Sequence, residues 1–426
     1  MTIVVFVASL CGAMLLGIPV AFALLVCGIA LMWHLDMFDV QILAENVLDG
    51  ANNYPLMALP FFVLAGELMN AGGVSKRIVG VAIALVGHVR GGLGYVAVLA
   101  ALVLASISGS AIADCAALAA VVIPLMRKSG YPVPLSAGLV SSAGIVAPLL
   151  PPSIPFVVFG VAAELSVTRL FMTGIAPGLM MAATLMVTWF FYARKDDRMI
   201  ARQTFDWPRL FRALREGFWA LLLPIVIIGG MKSGAFTPTE AGVVAVVYSL
   251  VIGMFVYGEL KPRMVPDLLL RAAKTASTVM FLVACAYVSA WLITVANIPQ
   301  EIADVVAPYM ENKILFMFIL MVVVFLVGTA LDLTPTILIL TPVMMPLVRQ
   351  AEIDPYYFGV MFMMNNAIGL ITPPVGTVLN VVSGVARVEL DQVIRGMLPF
   401  LAAYTALLFL FVLFPDLILV PASWLR

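Results

Sequence analysis

Apolar residues run through this chain in long, nearly unbroken stretches, such as Thr2 to Trp33, Leu170 to Ala193 and Met397 to Val420, with charged residues gathered between them. A β-barrel would need strands of about ten residues that alternate apolar and polar positions. Continuous runs near twenty residues instead predict helices crossing a hydrocarbon core of roughly 30 Å. Helices suit that place because lipid-exposed backbone must satisfy its own hydrogen bonds. The first run has no basic leading region and stays apolar too long for a cleaved leader, so it is expected to be the first span.

The pattern repeats. Sliding the chain by 222 residues brings Pro124-Leu125-Met126-Arg127 onto Pro346-Leu347-Val348-Arg349 and Pro151-Pro152 onto Pro373-Pro374. Ser108-Gly109-Ser110 falls on Ala330-Leu331-Asp332, and Tyr131-Pro132 lies beside Asp354-Pro355 with a one-residue slip. The first repeat is expected over 1–193, with a helical hairpin at about 91–127 and a broken helix at about 134–164. The second is expected over 218–426, with a hairpin at about 314–348 and a broken helix at about 355–386. Between them, 194–217 holds Arg194, Lys195, Arg198, Arg202, Arg209, Arg212 and Arg215, which reads as a cytoplasmic linker.

The same counting orients the hairpins. His88, Arg90, Arg127 and Lys128 flank the first, which places both its ends in the cytoplasm. Glu301, Asp304, Glu311, Glu352 and Asp354 flank the second against only Lys313 and Arg349, which places its ends outside. Two re-entrant hairpins entering from opposite faces imply an inverted-topology repeat, the plan of secondary transporters. Residues 74–89, with Lys76 and Arg77, suit either a short span or an amphipathic arm, and the two options put the N-terminus on opposite sides.

Composition narrows the class. Hydrophobic residues make up 63% and charged residues 11%, under half the roughly 25% charged of soluble domains, so an all-α polytopic membrane protein is predicted and a soluble globule is excluded. Formal net charge is zero, which gives no electrostatic reason for a nucleic-acid partner. Cys11, Cys27, Cys115 and Cys285 stand singly in apolar runs and read as buried small hydrophobes. The chain has no HExxH, P-loop or acidic DxxxD signature, so it is expected neither to be an enzyme nor to power transport with ATP itself.

Chemistry concentrates where the helices should break. Ala105 to Ala111 is a run of small and hydroxyl residues midway along the first hairpin, suited to a tight turn. Gly144 to Pro155 then sets four prolines in an apolar stretch, each lacking an N–H and clashing with the carbonyl four residues back. The second half repeats this with Gly328 to Thr336 and Gly369 to Gly376. Freed carbonyls and hydroxyls are hard oxygen ligands for a small cation, while half-helix N-termini offer positive dipole to an anion.

Ionisable groups inside the membrane are functional candidates. Asp332 sits at the second tip and Asp114 just past the first. Glu67 and Glu240 read as carboxylates bound to backbone near helix ends, and His34 and His88 as interfacial. Trp33, Trp189, Trp219 and Trp424 stand at span ends and are expected to anchor in the interface.

Leu59-Pro60-Phe61-Phe62-Val63-Leu64-Ala65-Gly66, Ser108-Gly109-Ser110, Pro151-Pro152-Ser153, Pro238-Thr239-Glu240-Ala241 and Ile371-Thr372-Pro373-Pro374-Val375-Gly376, in this order and spacing, resemble the large membrane subunit of tripartite ATP-independent periplasmic (TRAP) transporters. Leu35 to Gln41 and Gly66 to Gly73 are similar to the branch handling 2,3-diketo-L-gulonate and related sugar acids. The resemblance implies a sodium-coupled elevator in the bacterial inner membrane that imports an organic acid anion. It also implies a periplasmic substrate-binding protein and a small four-helix membrane subunit, expected as a separate chain because Met1 leads straight into the first span.

Carried over residue by residue, the resemblance implies two Na+ sites. The first would use Ser108 and Ser110 with carbonyls near Gly144, Ala147 and Pro151; the second would use Gly328, Gly369, Thr372 and Val375. Ser153 and Asp332 would face the substrate, although other members often carry Glu-Pro where this chain has Asp332-Leu333. A scaffold of about 1–90 and 218–312 would hold a moving unit of about 91–194 and 314–397. The competing expectation is proton coupling through Asp114 and Asp332.

Overall fold

Among the described residues, 1–199 and 204–425 of a computed structural model, the chain forms twenty α-helices and no strand. Arg202, one of the basic residues between the repeats, lies outside the described residues. The first half contains α1 (Thr2–Leu15), α2 (Val20–His34), α3 (Val40–Ala51), α4 (Ala58–Ala71), α5 (Val74–Val86), α6 (Gly92–Ser108), α7 (Ala111–Lys128), α8 (Val133–Gly144), α9 (Ile154–Ala162) and α10 (Val167–Lys195). The second contains α11 (Trp207–Lys232), α12 (Pro238–Val251), α13 (Val265–Val295), α14 (Ile298–Met310), α15 (Lys313–Ala330), α16 (Leu333–Gln350), α17 (Pro355–Gly369), α18 (Thr377–Ala386), α19 (Leu390–Leu413) and α20 (Asp416–Leu425).

The offset found in the sequence recurs in these boundaries. Helix α6 ends at 108 and α15 at 330, α7 and α16 cover 111–128 and 333–350, and α8 and α17 begin at 133 and 355, each pair 222 apart. Among the described residues seven helices are long and apolar enough to cross a membrane, and an eighth span arises if α8 and α9, bent by 44° at their break, count as one. Helix α5 has 13 residues, about 20 Å at 1.5 Å per residue, so it is shorter than a hydrocarbon core.

The first apolar run is not one span. Gly17 adopts φ +80° and Pro19 precedes α2, so the chain turns after Leu16 and α2 folds back to pack on α1. Glycine takes that positive φ without the Cβ clash other residues meet, and continuous hydropathy concealed the turn.

The charged stretch is likewise more helical than a linker. Helix α11 starts at Trp207 rather than near 218, with Pro208 in its first turn, where the missing N–H costs nothing. It buries Leu210 and Gly217, and Gly217 sits against Val81 of α5.

Two other expectations change. Trp189 is wholly buried rather than interfacial; its Nε1 donates to the Gly91 carbonyl at 2.8 Å and its ring stacks on Tyr131. Trp33, Trp219 and Trp424 are exposed. Cys11 faces outward from α1, whereas Cys27, Cys115 and Cys285 are buried.

The halves join where α8 crosses α19. Gly138 lies so close to Gly396 that a Cβ on either would strike the other helix's backbone. Tyr404 of α19 is fully buried and donates its hydroxyl to the Ser142 carbonyl of α8 at 2.8 Å.

Candidate functional site

Proline placement explains the first break. Pro148, Pro151, Pro152 and Pro155 stand four residues after Gly144, Ala147, Pro148 and Pro151, so none of those carbonyls can receive its helical N–H. The helix opens there, Ala147–Leu149 makes a short 3-10 turn, and α9 starts afresh after Ser153. The Pro148 carbonyl takes the Ser153 hydroxyl at 2.6 Å, and the Ala147 carbonyl takes the Leu150 N–H at 3.3 Å. Among the described residues no backbone N–H from this segment reaches the Gly144 or Pro151 carbonyl.

The first hairpin tip is seated on this break. Gly109 turns the chain at φ +62°, and a Cβ there would strike the Pro152 carbonyl. Ser108 donates to Asp114 Oδ1 at 2.5 Å and accepts the Ser110 N–H at 3.2 Å, while the Ser110 hydroxyl accepts the Ala113 N–H at 3.4 Å. Asp114 is 2% exposed, and its Oδ2 has no hydrogen-bond partner among the described residues. Gly144 presses on Cys115 with no room for a Cβ, and the turn carrying Ala147 packs on α6 and α7. Ser108 and Ser110 thus flank the glycine that touches the break, and Gly144, Ala147 and Pro151 lie along the break itself.

The second set is gathered in part. A Cβ on Gly369 would strike the Gly328 carbonyl, so these glycines bring the end of α15 onto the end of α17. Thr372 donates to the Ile368 carbonyl at 2.8 Å, and the Val375 carbonyl accepts Asn380 Nδ2 at 2.8 Å. Pro373, Pro374 and Val375 are exposed. The peptide bonds Pro151–Pro152 and Pro373–Pro374 are both cis.

Asp332 occupies the N-cap position of α16 but makes no side-chain cap; its carbonyl accepts the Thr336 N–H at 3.2 Å and hydroxyl at 2.9 Å. Ser153 is fully buried and caps α9 by accepting the Phe156 N–H at 3.3 Å. No hydrogen bond joins Ser153 to Asp332 among the described residues. Glu240 completes a capping box, with Oε2 accepting the Thr237 N–H at 2.8 Å. Glu67 lines a separate polar pocket of about 430 Å³ with Asn70, Arg263, Asp267 and Arg271.

Asn365 and Asn366 were missed in the sequence. Both are fully buried on α17, with Nδ2 atoms donating to the Met321 carbonyl at 2.5 Å and the Leu333 carbonyl at 3.3 Å. Neither Oδ1 has a partner among the described residues, and that of Asn366 lies against Gly328. A buried amide oxygen left unpaired needs an explanation, and an Asn-Asn pair inside an apolar run was the available signal. The first repeat carries no such pair, since the offset-equivalent residues are Ala143 and Gly144.

Comparisons with known proteins bear on this arrangement. Residues 7–417 match the family described as tripartite ATP-independent periplasmic transporter, DctM component. The chain is 53% identical, over the full length of both, to the 2,3-diketo-L-gulonate TRAP transporter large permease protein YiaN of Escherichia coli. It is 35% identical to the sialic acid TRAP transporter large permease protein SiaM of Vibrio cholerae, across 95% of each chain. It is 38% identical to the C4-dicarboxylate large permease protein DctM of Pseudomonas aeruginosa, across 91% of this chain and 90% of that one. In fold it is similar to the YdaH transporter of Alcanivorax borkumensis, with a TM-score of 0.64 and 15% identity over 87% of each chain. A membrane-spanning helical chain with this match along nearly its whole length belongs to the TRAP transporter family as its DctM component, the large permease protein.

Proposed function

We propose that this permease is the large subunit of a sodium-coupled secondary transporter in the bacterial inner membrane, importing an organic acid anion. The observation that carries this reading is the first tip seated on the first break: Gly109, between Ser108 and Ser110, touches the Pro152 backbone, and among the described residues no backbone N–H reaches the Gly144 or Pro151 carbonyl. Neutral oxygens of that kind can replace the hydration shell of a small cation. Gly328, Gly369, Thr372 and Val375 supply the second Na+ site, where the Asn366 amide oxygen lies against Gly328. Ser153 and Asp332 are assigned to the substrate side, at the starts of α9 and α16.

The relative named for 2,3-diketo-L-gulonate supports a sugar acid as the anion. A periplasmic binding protein would deliver it, and a small four-helix membrane subunit would complete the complex. A second reading, proton coupling, is favoured by Asp114, whose buried Oδ2 has no partner among the described residues.

Uptake in proteoliposomes carrying all three components, under imposed gradients, separates the readings. Sodium-driven uptake that needs the loaded binding protein is expected. Full uptake on a pH gradient in sodium-free buffer would reject sodium coupling in favour of the second reading.

The repeat plan also supports an elevator, in which about 91–194 and 314–397 move against the remainder. A cavity of about 210 Å³ lined by Val161, Ala162, Ala286, Tyr287 and Leu338 lies among α9, α13 and α16, on the seam between the two units. Cysteines at Ala162 and Ala286, joined by a cleavable bifunctional thiol reagent, are expected to stop uptake until the reagent is cleaved. Unimpaired uptake with complete crosslinking would reject the elevator.

A further inference from the structure

The two halves exchange arginines. Arg127, in the last turn of α7, donates from Nη2 to the Ala386 carbonyl at 3.1 Å, at the end of α18. Arg349, in the last turn of α16, donates from Nη2 to the Ala163 carbonyl at 2.9 Å, at the C-cap of α9. Positions 127 and 349 are 222 apart, the offset of the repeat. Each hairpin therefore closes the far end of the other half's post-break helix, and the same pairs pack side by side, α7 with α18 and α16 with α9.

Helices α9 and α18 have only 9 and 10 residues. Their last carbonyls lack intrahelical donors, and their C-terminal ends carry negative partial charge that a cation offsets. Neither arginine forms an ion pair among the described residues, so each charge is left for the helix end. Fixing that end also fixes the axis of a half-helix whose other end begins at the break.

We infer that Arg127 and Arg349 are positioning residues: each holds the other repeat's half-helix so that its N-terminal end stays aimed at the site. The hold is a property of the fold alone; its consequence for an anion rests on the function proposed above. It also makes the two hairpins and two half-helices one mechanical body, since neither repeat completes its own half-helix.

The test uses the full chain with Arg349→Gln, Arg349→Lys, Arg127→Gln and Arg127→Lys. With Arg349→Gln, amide hydrogen exchange over Ile154–Ala162 is expected to rise about threefold, the scale of one cation at a helix C-terminus, with Thr377–Ala386 unchanged. Arg127→Gln is expected to do the reverse, and the lysine variants to restore protection. Exchange that rises in the arginine's own repeat, or nowhere, would overturn the inference.

In proteoliposomes with both partners, the glutamine variants are expected to raise the half-saturating concentration about threefold with the maximal rate kept, on the scale of the same cation effect. The probe is whichever of 2,3-diketo-L-gulonate, sialic acid or succinate the wild type takes up. An unchanged half-saturation alongside the crossed exchange pattern would overturn the link to the site while leaving the hold. Should the wild type take up none of them, the sugar-acid assignment fails, and the exchange result still decides the inference.

Discussion

Every residue from Ile145 to Leu150, together with Pro151, Pro152 and Ser153, is buried, whereas Pro373, Pro374 and Val375 at the equivalent break are exposed. Both breaks use one backbone device, prolines that remove the N–H owed to a carbonyl a turn earlier. Their neighbours differ. The first is covered by the tip at Gly109, which turns through a positive φ and touches Pro152, while the second tip passes through Leu331 in an extended conformation. A repeated motif thus fixes where a helix opens, and the surrounding packing decides whether the opening meets solvent. Under the proposed function the pair is one covered site and one open site.

The largest effect should come from the tips themselves. Gly109→Val forces a branched side chain into a left-handed turn and against the Pro152 backbone, a cost of about 3 kcal/mol or more. A clear drop in the thermal midpoint of the detergent-purified protein is expected. Leu331→Ala at the equivalent tip should cost less than about 1 kcal/mol because Leu331 is only partly buried. Equal losses would break the comparison.

Next come the hydroxyls. Ser108→Ala leaves the buried Asp114 carboxylate without its donor, at about 2 kcal/mol, whereas Thr372→Ala removes only a bond to a carbonyl in its own turn. Both should raise the sodium concentration for half-maximal uptake, roughly tenfold for about 1.4 kcal/mol of lost binding. Only the first should also lower the unfolding midpoint.

Thiol labelling probes access directly. With exposed Cys11 replaced by alanine, Val375→Cys should react with an aqueous maleimide at least about tenfold faster than Ser153→Cys, because local opening must precede reaction at a buried position. Similar rates would show that the first break opens as readily as the second.

The smallest effect lies outside both repeats. Hydrogen bonding to Arg198 holds the Asp196 carboxyl below the usual carboxylate range. A carboxyl lowered in the folded protein adds stability above its unfolded pKa, about 4, and loses it as pH falls through the lowered value. Arg198 is solvent-exposed and Asp196 partly so, so Arg198→Ala should shift the unfolding midpoint only slightly at pH 7 and not at all in strong acid.

The sequence by itself determined a helical membrane protein, its repeat offset and the places where helices break. Those are local matters: run length sets a span, and a proline always removes the same hydrogen bond. Ser108, Ser110, Gly144 and the Gly328–Gly369 pair could be named because each sits at such a break. Only the tertiary structure decided what touches each break. The turn after Leu16, the buried Trp189, the Asn365 and Asn366 oxygens and the exchanged arginines all depend on partners 33 to 259 positions away or on a backbone angle that hydropathy does not record. Apolar residues look alike whether they face lipid, a neighbouring helix or a closed site, so burial had to be read from the packing.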